Sequence, residues 1–357
     1  MDKVELLVNG KIYGGWKDVS ITRSLNAISG SFSLSVTDRW SGQSEPWIVA
    51  PDDECVVRVN GESVISGYVF GVENSIDKSN RSISISGRDK TADLVDCSID
   101  LKTTQLEKIS LARLAKLLAD PFKISVTIDV KTGAPFNPFA FNQGETCFEA
   151  LERACKFKGF LLTGDGAGGV LITQPGTTRS TTILEQGKNI LKAGSAFDHS
   201  DRFSNYKVKG QGNKFNDEAD AVFSSQIQAT AKDLNVKRFR PMLLVAENLV
   251  TNELARTRAQ WESTNRAAKA GKFKVEVQGW RQGDGTLWRP NQLIRVRASE
   301  LALNDDLLAV TVQMNLNDKS GTTTEINLER KDAYKPEPTV PKETDPMETA
   351  LKKAVKK

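Results

Sequence analysis

The stretch from Ser82 to Ile99 constrains the fold most strongly, because the periodicity of the chain changes there. Serine alternates with isoleucine in SISIS at 82–86, which is the period-two pattern of a half-buried strand. Three charged residues, Arg88, Asp89 and Lys90, follow Gly87. The sequence before this charged corner has the period of strands, and the sequence after it has the period of helices. We therefore expect two kinds of architecture to meet at this corner.

Two groups of residues are candidates for contact with a partner. The charged corner is either a contact site at a strand end or a solvated turn. Two tryptophans flank a loop rich in turn-forming residues, and such rings serve either as binding hot spots or as lids over a core. The candidate contact residues are therefore Trp40, Trp47, Arg88, Asp89 and Lys90.

Strand signals dominate two parts of the chain. Residues 4–72 contain short alternating segments with hairpin turns at Asn9-Gly10 and Asn60-Gly61. A second series runs through residues 273–328 and includes a regular alternation from Leu308 to Leu316. This spacing predicts antiparallel barrels or sandwiches. The predicted fold class is mainly β with α+β insertions.

The part between the two β series has the helical period. Apolar residues from 106 to 118 predict a helix that Asp120-Pro121 ends. Thr146 and Glu149 have the spacing of a capping box, and Gly159 suits the C-terminal cap of a second helix. Strands at 160–163 and 170–173 follow, so we predict a small α/β domain in this part.

These patterns predict four segments. The first β domain covers residues 1–100 and is completed by about 181–212. The inserted α/β domain covers residues 101–180. A second β domain, at 213–335, begins with a long loop to residue 236 and carries one helix from about 252 to 270. Residues 336–357 read as a flexible charged tail with four prolines.

Residue content argues against several kinds of site. The four cysteines form no CxxC pair and the sole histidine is His199, so we predict no metal site. GDGAGG at 164–169 matches a nucleotide-binding pattern, but a strand follows where a phosphate-binding helix is needed, which favours a hairpin turn. The cluster around His199 is interpreted as a surface loop rather than an acid–base group. We assign no catalytic residue and no cofactor.

The charge balance and hydropathy bear on partners and location. There are 49 basic and 45 acidic residues, a net charge of +4, which is too balanced to indicate binding to nucleic acid or membrane. Arg256, Arg258 and Arg266 make the third helix basic, and we interpret them as a solvated face. The chain contains no long apolar run that would predict a membrane span or a secretory signal, and the cysteine content fits assembly in a reducing cytoplasm.

Several stretches, in their order along the chain, resemble the baseplate hub proteins of contractile-tailed phages, particularly Mu-like phages. The resemblance covers residues 19–328, and no single piece of it is a catalytic motif. It is carried by VSITRSL (19–25), GSFSL (30–34), SGYV (66–69), GRDKTADLVD (87–96), FNQGET (141–146), GWR (279–281), LWRPNQL (287–293) and GTTTE (321–325).

The resemblance implies a non-enzymatic virion protein of the tail baseplate. Each subunit would supply two β-barrel-like hub domains, and a homotrimer would form a ring that adapts a sixfold tail tube to a threefold central spike. The implied partners are the spike, tail tube or tube-adaptor proteins, baseplate wedge proteins and DNA that passes without specific binding.

Two alternatives remain open: the hub of a type VI secretion-like or tailocin spike, and a tail-associated cell-wall hydrolase. A glycosidase needs two carboxylates at a defined separation, and no motif in this chain identifies such a pair.

Overall fold

The computed structural model describes residues 2–37, 48–76, 78, 81–176, 178–210, 227–245 and 252–338. By its internal contacts the chain divides into two compact units. The larger unit comprises Met1–Phe197 and Gly271–Lys335, and the smaller comprises Asp198–Ala270 and Pro336–Lys357. The larger unit contains a fourteen-stranded sheet among the described residues.

The chain begins with seven strands that follow the predicted alternation of apolar and polar residues. The hairpin turn at Asn60-Gly61 joins two of them, and both of its residues adopt positive φ. The last strand continues past Gly87, so the charged corner forms its end. The strands are β1 (Val4–Val8), β2 (Lys11–Tyr13), β3 (Asp18–Ser24), β4 (Ser31–Thr37), β5 (Glu54–Val59), β6 (Glu62–Ile76) and β7 (Arg81–Asp89).

An α/β part follows directly. Its helices and strands are α1 (Ala92–Asp96), β8 (Gln105–Leu106), α2 (Leu111–Ala119), β9 (Val126–Ile128), β10 (Phe139–Ala140), α3 (Cys147–Lys158), β11 (Leu161–Gly164) and β12 (Val170–Thr173).

The helix ends in this part follow their capping residues. Thr146 and Glu149 form the predicted capping box at the start of α3, and Gly159 ends it in the left-handed conformation. The preceding helix, α2, is shorter than predicted, because it begins only after Ser110 accepts a hydrogen bond from the Arg113 N–H. The residues before that cap pair as strand β8 instead.

Residues 178–245 supply short strands to both units. The sequence predicted that residues from about 181 to 212 complete the first β domain. In the structure, the segment 178–197 pairs with strands of the second β series instead. A strand also lies within the segment that was predicted to be a long loop. These strands are β13 (Thr178–Arg179), β14 (Leu184–Glu185), β15 (Ile190–Phe197), β16 (Asn205–Gly210), β17 (Ile227–Lys232) and β18 (Pro241–Val245).

The smaller unit is a three-stranded sheet, in the order β17-β16-β18, with one long helix. That helix, α4 (Asn252–Lys269), packs on β16 and β17. Its apolar contact surface includes Ala255 and Ala259 against Val208 and Ala229. Small alanines let the helix lie close to the sheet, which suits a unit with a narrow apolar core.

The chain returns to the large sheet with four strands, β19 (Gly271–Gln278), β20 (Gln292–Ala298), β21 (Leu303–Asn317) and β22 (Gly321–Glu329). The strand order is β15-β19-β22-β21-β3-β4-β7-β6-β5-β1-β2, with β13, β14 and β20 off this path. Pairing of β21 with β3 joins the two β series into one sheet. The strands in the described residues form an open path, without the closed barrels that we expected.

Two apolar cores lie on one face of this sheet. The first includes Leu34, Ile85 and Met314, and the second includes Val312 and Ile326. Because Val312 and Met314 are two residues apart on β21, their side chains point to the same face. The opposite face carries polar residues on β3, β4 and β7, and in the second β series Leu308 and Val310 form a further small apolar cluster with Leu25. A third core lies within the α/β part.

Candidate functional site

The charged corner places its three side chains in different environments. The Arg88 guanidinium pairs with Asp96 at 2.7 Å and lies 5.4 Å from the centroid of the Phe70 ring. The Lys90 ammonium pairs with Glu54. Asp89 is only 2% exposed, so it lies inside the protein rather than at its surface. Trp40 and Trp47, the other predicted contact residues, lie outside the described residues.

Asp89 belongs to a buried charged cluster in the larger unit. With Arg23 and Asp165 it lines a cavity of about 170 Å³. Its Oδ1 atom has no hydrogen-bond partner among the described residues. Burial, offset in part by the charge of Arg23, raises the pKa of Asp89 to about 7, and burial also lowers the pKa of Arg23. Charges of both signs line this cavity, so it does not select a cation or an anion.

The glycine-rich stretch GDGAGG is the hairpin turn that the sequence predicted. It joins β11 and β12, which pair antiparallel up to Gly164 and Val170. A side chain at Gly166 would place Cβ within 2.3 Å of the Arg23 guanidinium, and Gly166 has φ +85°. Glycine is therefore needed here for close packing over the buried cluster rather than for binding phosphate.

The basic residues of α4 are largely held by acidic partners. Glu262, whose side chain is 6% exposed, accepts hydrogen bonds from Arg258 at 2.9 Å and from Arg266 at 2.8 Å. Arg258 lies over the Trp261 ring and also pairs with Glu337. Arg256 remains exposed on the helix. The arginines therefore do not form the open row that phosphate binding needs.

The described residues offer little for acid–base or metal chemistry. The His199 Nε2 atom lies 3.2 Å from an Arg202 nitrogen. The backbone carbonyl oxygen of His199 accepts a hydrogen bond from Arg240. No group of three or more potential metal ligands comes together in the part of the chain that the structure describes. Within the same residues, no helix is both long enough and apolar enough to span a bilayer.

One face of the large sheet carries a continuous polar surface in the described residues. Alternate positions of β3, β4 and β7 carry hydroxyl side chains, and cross-strand register aligns them. Ser20 lies opposite Ser33, which in turn lies opposite Ser86. We call this surface the hydroxyl face, and it comprises Ser20, Thr22, Ser31, Ser33, Ser35, Ser82, Ser84 and Ser86.

The polar surface continues onto the second β series. Gln313 of β21 lies opposite Thr22 and donates a hydrogen bond from Nε2 to Ser20 Oγ at 2.9 Å. An open hollow on this side is lined by residues of both series, including Ser33, Asn315 and Glu325. The serine alternation of β7 is visible in the sequence, but by itself it indicates only the polar side of a half-buried strand. The register between distant strands was needed to show one continuous surface.

Comparison with family models gives three matches that follow one another along the chain. Residues 3–89 match the Mu phage baseplate assembly protein GpP-like N-terminal domain, and residues 91–174 match the second domain of baseplate hub protein gp44-like sequences. Residues 251–337 match the fourth domain of Mu phage baseplate assembly protein GpP. The large sheet and these matches define a class of phage tail structural protein.

The chain belongs to the family of Mu-like baseplate hub proteins. It is 34% identical over 354 residues to the baseplate hub protein gp44 of Escherichia phage Mu, which covers 96% of this chain and 90% of that protein. The crystal structure of a 43 kDa tail protein from prophage MuSo2 of Shewanella oneidensis matches with a TM-score of 0.82 and 35% identity, over 93% of this chain and 99% of that one.

The fold is shared more widely than the sequence. A type VI secretion component of E. coli, the c3393 protein, matches with a TM-score of 0.54 over 90% of this chain and 76% of that chain, at 8% identity. At this identity the match concerns the fold alone. The resemblance to baseplate hubs that was stated from the sequence is confirmed.

Proposed function

We propose that this hub protein forms a homotrimeric ring that adapts a sixfold tail tube to a threefold central spike, with the hydroxyl face turned toward the channel. The observation that carries the proposal is the single sheet that joins both β series through β3 and β21. One such sheet gives each subunit two β segments side by side, so three subunits present six segments around the ring. This arrangement suits an adaptor between sixfold and threefold symmetry.

The hydroxyl face fits a channel through which DNA passes without specific binding. Serine and threonine side chains are short and uncharged, so they cannot neutralise phosphates and release counterions as lysine or arginine would. Hydroxyl groups also keep the wall hydrated. The DNA would therefore meet a wall with little affinity for it.

The same proposal covers the remaining roles of the chain. The hub would work without enzymatic activity, assemble in the host cytoplasm, and contact spike, tube-adaptor and wedge proteins. Arg88 and Lys90 stay candidates for such contacts, since both side chains are partly exposed. We keep the proposed division into a first β domain to about residue 100, an α/β insert to 180, a second β domain, and a tail from 336.

Light scattering on the full chain across a dilution series tests the ring. A mass near three times 39.2 kDa supports it, and electron micrographs of that species should show a central opening. A monomer at every concentration would contradict the ring. Release of soluble fragments from purified cell wall by the same sample would favour the hydrolase instead.

A further inference from the structure

Two strand edges that flank the hydroxyl face lack a partner strand in the described part of the chain. β15 pairs with β19 on one side, and its other side meets only an isolated bridge at Ile190. β6 pairs with β5 only as far as Tyr68, so Gly71–Ile76 extends beyond β5 with one open edge. These two segments lie at the two ends of the run β15-β19-β22-β21-β3-β4-β7-β6, which contains the hydroxyl face, and only the first half of β6 continues into β5, β1 and β2.

Both open edges carry exposed apolar side chains. On β15, Leu191 and Phe197 are 55% and 63% exposed, and on β6, Phe70 and Ile76 are 46% and 69% exposed. Long open edges with large apolar side chains promote uncontrolled pairing with other chains, so proteins normally cover them. The edges therefore call for a partner that supplies both backbone hydrogen bonds and apolar contact.

Strand direction makes the two edges complementary to each other. The run β15-β19-β22-β21-β3-β4-β7-β6 has eight strands, and every neighbouring pair in it is antiparallel. With an even number of strands, the first and last run in opposite directions. Rotating a second copy about an axis along the strands then sets its β6 antiparallel to β15 of the first copy.

Backbone hydrogen bonds give an independent check on this fit. The Asp198 N–H donates to the Ala270 oxygen at 2.8 Å, next to the pairing of β15 with β19. Because successive N–H groups of a strand point to alternate sides, those of Ala193 and Ser195 point away from β19, toward the open edge. The Asp89 N–H donates to the Gly30 oxygen on the β4 side of β7. By the same alternation, the backbone N–H of Ser84 points to the other side of β7, toward β6, where Ser84 lies opposite Glu73. The N–H of Asn74 therefore faces the open edge.

The side chains of these outward-facing residues lie on matching faces. Ser195 lies opposite Phe273, and Asn74 lies opposite Ile83, so both project to the side of the apolar cores. Their neighbours Lys192 and Glu73 project to the polar side and carry opposite charges. Pairing the two edges therefore continues both faces of the sheet without a break.

We propose that β15 of one copy pairs antiparallel with Gly71–Ile76 of β6 in the next copy, and that this contact closes the ring. The inference rests on the proposed trimer, and it specifies which strand edges of neighbouring copies pair with each other. The contact is heterologous, because different edges of the two copies meet, and it closes after three copies.

Closure by these edges gives a wall of suitable size. Eight strands from each of three copies, spaced about 4.8 Å apart, give a circumference of about 115 Å before any strand tilt. A closed sheet also requires the strands to be staggered along their length. The extension of β6 beyond β5 leaves room for such a stagger. The polar side of this wall would then surround the channel without interruption.

A proline on the open edge tests the contact. Ser195→Pro removes an N–H that points outward and keeps the internal pairing with β19, whereas Ser195→Ala keeps the N–H. We expect the wild type and Ser195→Ala to be trimers. Ser195→Pro should keep the wild-type circular dichroism and raise the concentration needed for trimers at least tenfold. A Ser195→Pro trimer of unchanged affinity would overturn the inference and leave the ring itself intact.

Cross-linking supplies a readout that does not depend on the proline variant folding. In a Cys97→Ser background, Ser195→Cys is combined in turn with Val72→Cys, Asn74→Cys and Ile76→Cys, and the trimers are treated with a short bis-thiol reagent. We expect covalent dimers and trimers from at least one pair and none from the single-cysteine variants. Intact trimers that no pair cross-links would also overturn the inference. A wild-type chain that never trimerises would defeat the proposed function as well.

Discussion

Asp89 shows how one position can differ from what its neighbours suggest. Three consecutive charges at a strand end predict a solvated corner, and two of them, Arg88 and Lys90, do form surface ion pairs. Because alternate residues of a strand point to opposite faces, the residue between them is directed into the protein. There it faces Arg23 from β3 and Asp165 from the glycine-rich turn.

We predict that Asp89 makes stability depend on pH. Its pKa is about 7 in the folded chain and near the usual value of about 4 when unfolded, so the folded state keeps a proton that the unfolded state loses. The free energy of unfolding should fall by up to about 1.4 kcal/mol per pH unit from this group as pH rises from 4 to 7. Asp89→Asn should remove that slope.

Urea unfolding at pH 5, 6, 7 and 8 measures this effect. Asp89→Asn should gain stability relative to wild type as the pH rises, and the gain should level off above pH 7. The control Asp100→Asn changes an exposed aspartate and should keep the wild-type slope. Parallel pH profiles for wild type and Asp89→Asn would show that the carboxyl group titrates normally.

Helix α4 combines its apolar contacts with a buried acidic residue. Glu262 occupies a buried position between two turns and bonds Arg258 and Arg266, four residues away on either side. The pattern of basic residues in the sequence suggested only a solvated surface for these arginines. Because Glu262 is buried, the guanidinium groups of Arg258 and Arg266 are held at its carboxylate instead of pointing freely into solvent.

We expect Glu262→Gln to destabilise the chain by about 1–3 kcal/mol, because it removes the buried charged acceptor that Arg258 and Arg266 share and leaves Arg258 only its pair with Glu337. Glu253→Gln, at an exposed position in the first turn of the same helix, should cost less than about 1 kcal/mol. Thermal unfolding followed by circular dichroism compares the two. Equal losses would mean that the ion pairs with Glu262 add nothing beyond ordinary surface charge.

The large sheet gives the molecule two sides with different chemistry. One side packs on the two apolar cores of the β series, and the other carries hydroxyl and amide groups together with charged side chains such as Lys274 and Glu325, which form an ion pair. In the proposed channel, DNA would move past the second of these surfaces without being held. The polar side should therefore tolerate neutral substitutions and respond strongly to added positive charge.

We predict that Ser31→Lys with Ser33→Lys gives the trimer measurable affinity for duplex DNA. Six added charges per ring can each neutralise a phosphate, so this affinity should fall about 1,000-fold between 50 and 200 mM salt. Fluorescence anisotropy with a labelled duplex measures it. A double variant with the same added charge elsewhere, Gln105→Lys with Gln143→Lys, should stay as weak as wild type. Tight DNA binding by the wild-type chain would contradict a non-binding channel.

The sequence by itself determined the local elements and the family. Alternation gave β3, β4, β7, β21 and β22, and the capping residues Thr146 and Gly159 bounded α3. These features depend on neighbours in the chain, so a pattern can reveal them. The ordered stretches from residue 19 to 325 were sufficient to indicate a baseplate hub, which the comparisons confirm.

Tertiary structure decided what depends on distant partners. The pairing of β3 with β21 brings together residues nearly 300 positions apart, and no local pattern specifies it. The same contacts buried Asp89, moved residues 178–197 into the second β series, and aligned the serines of separate strands into one face. Register and burial arise from the packing of whole strands, and for that reason the surface that bears on function could be seen only in the folded chain.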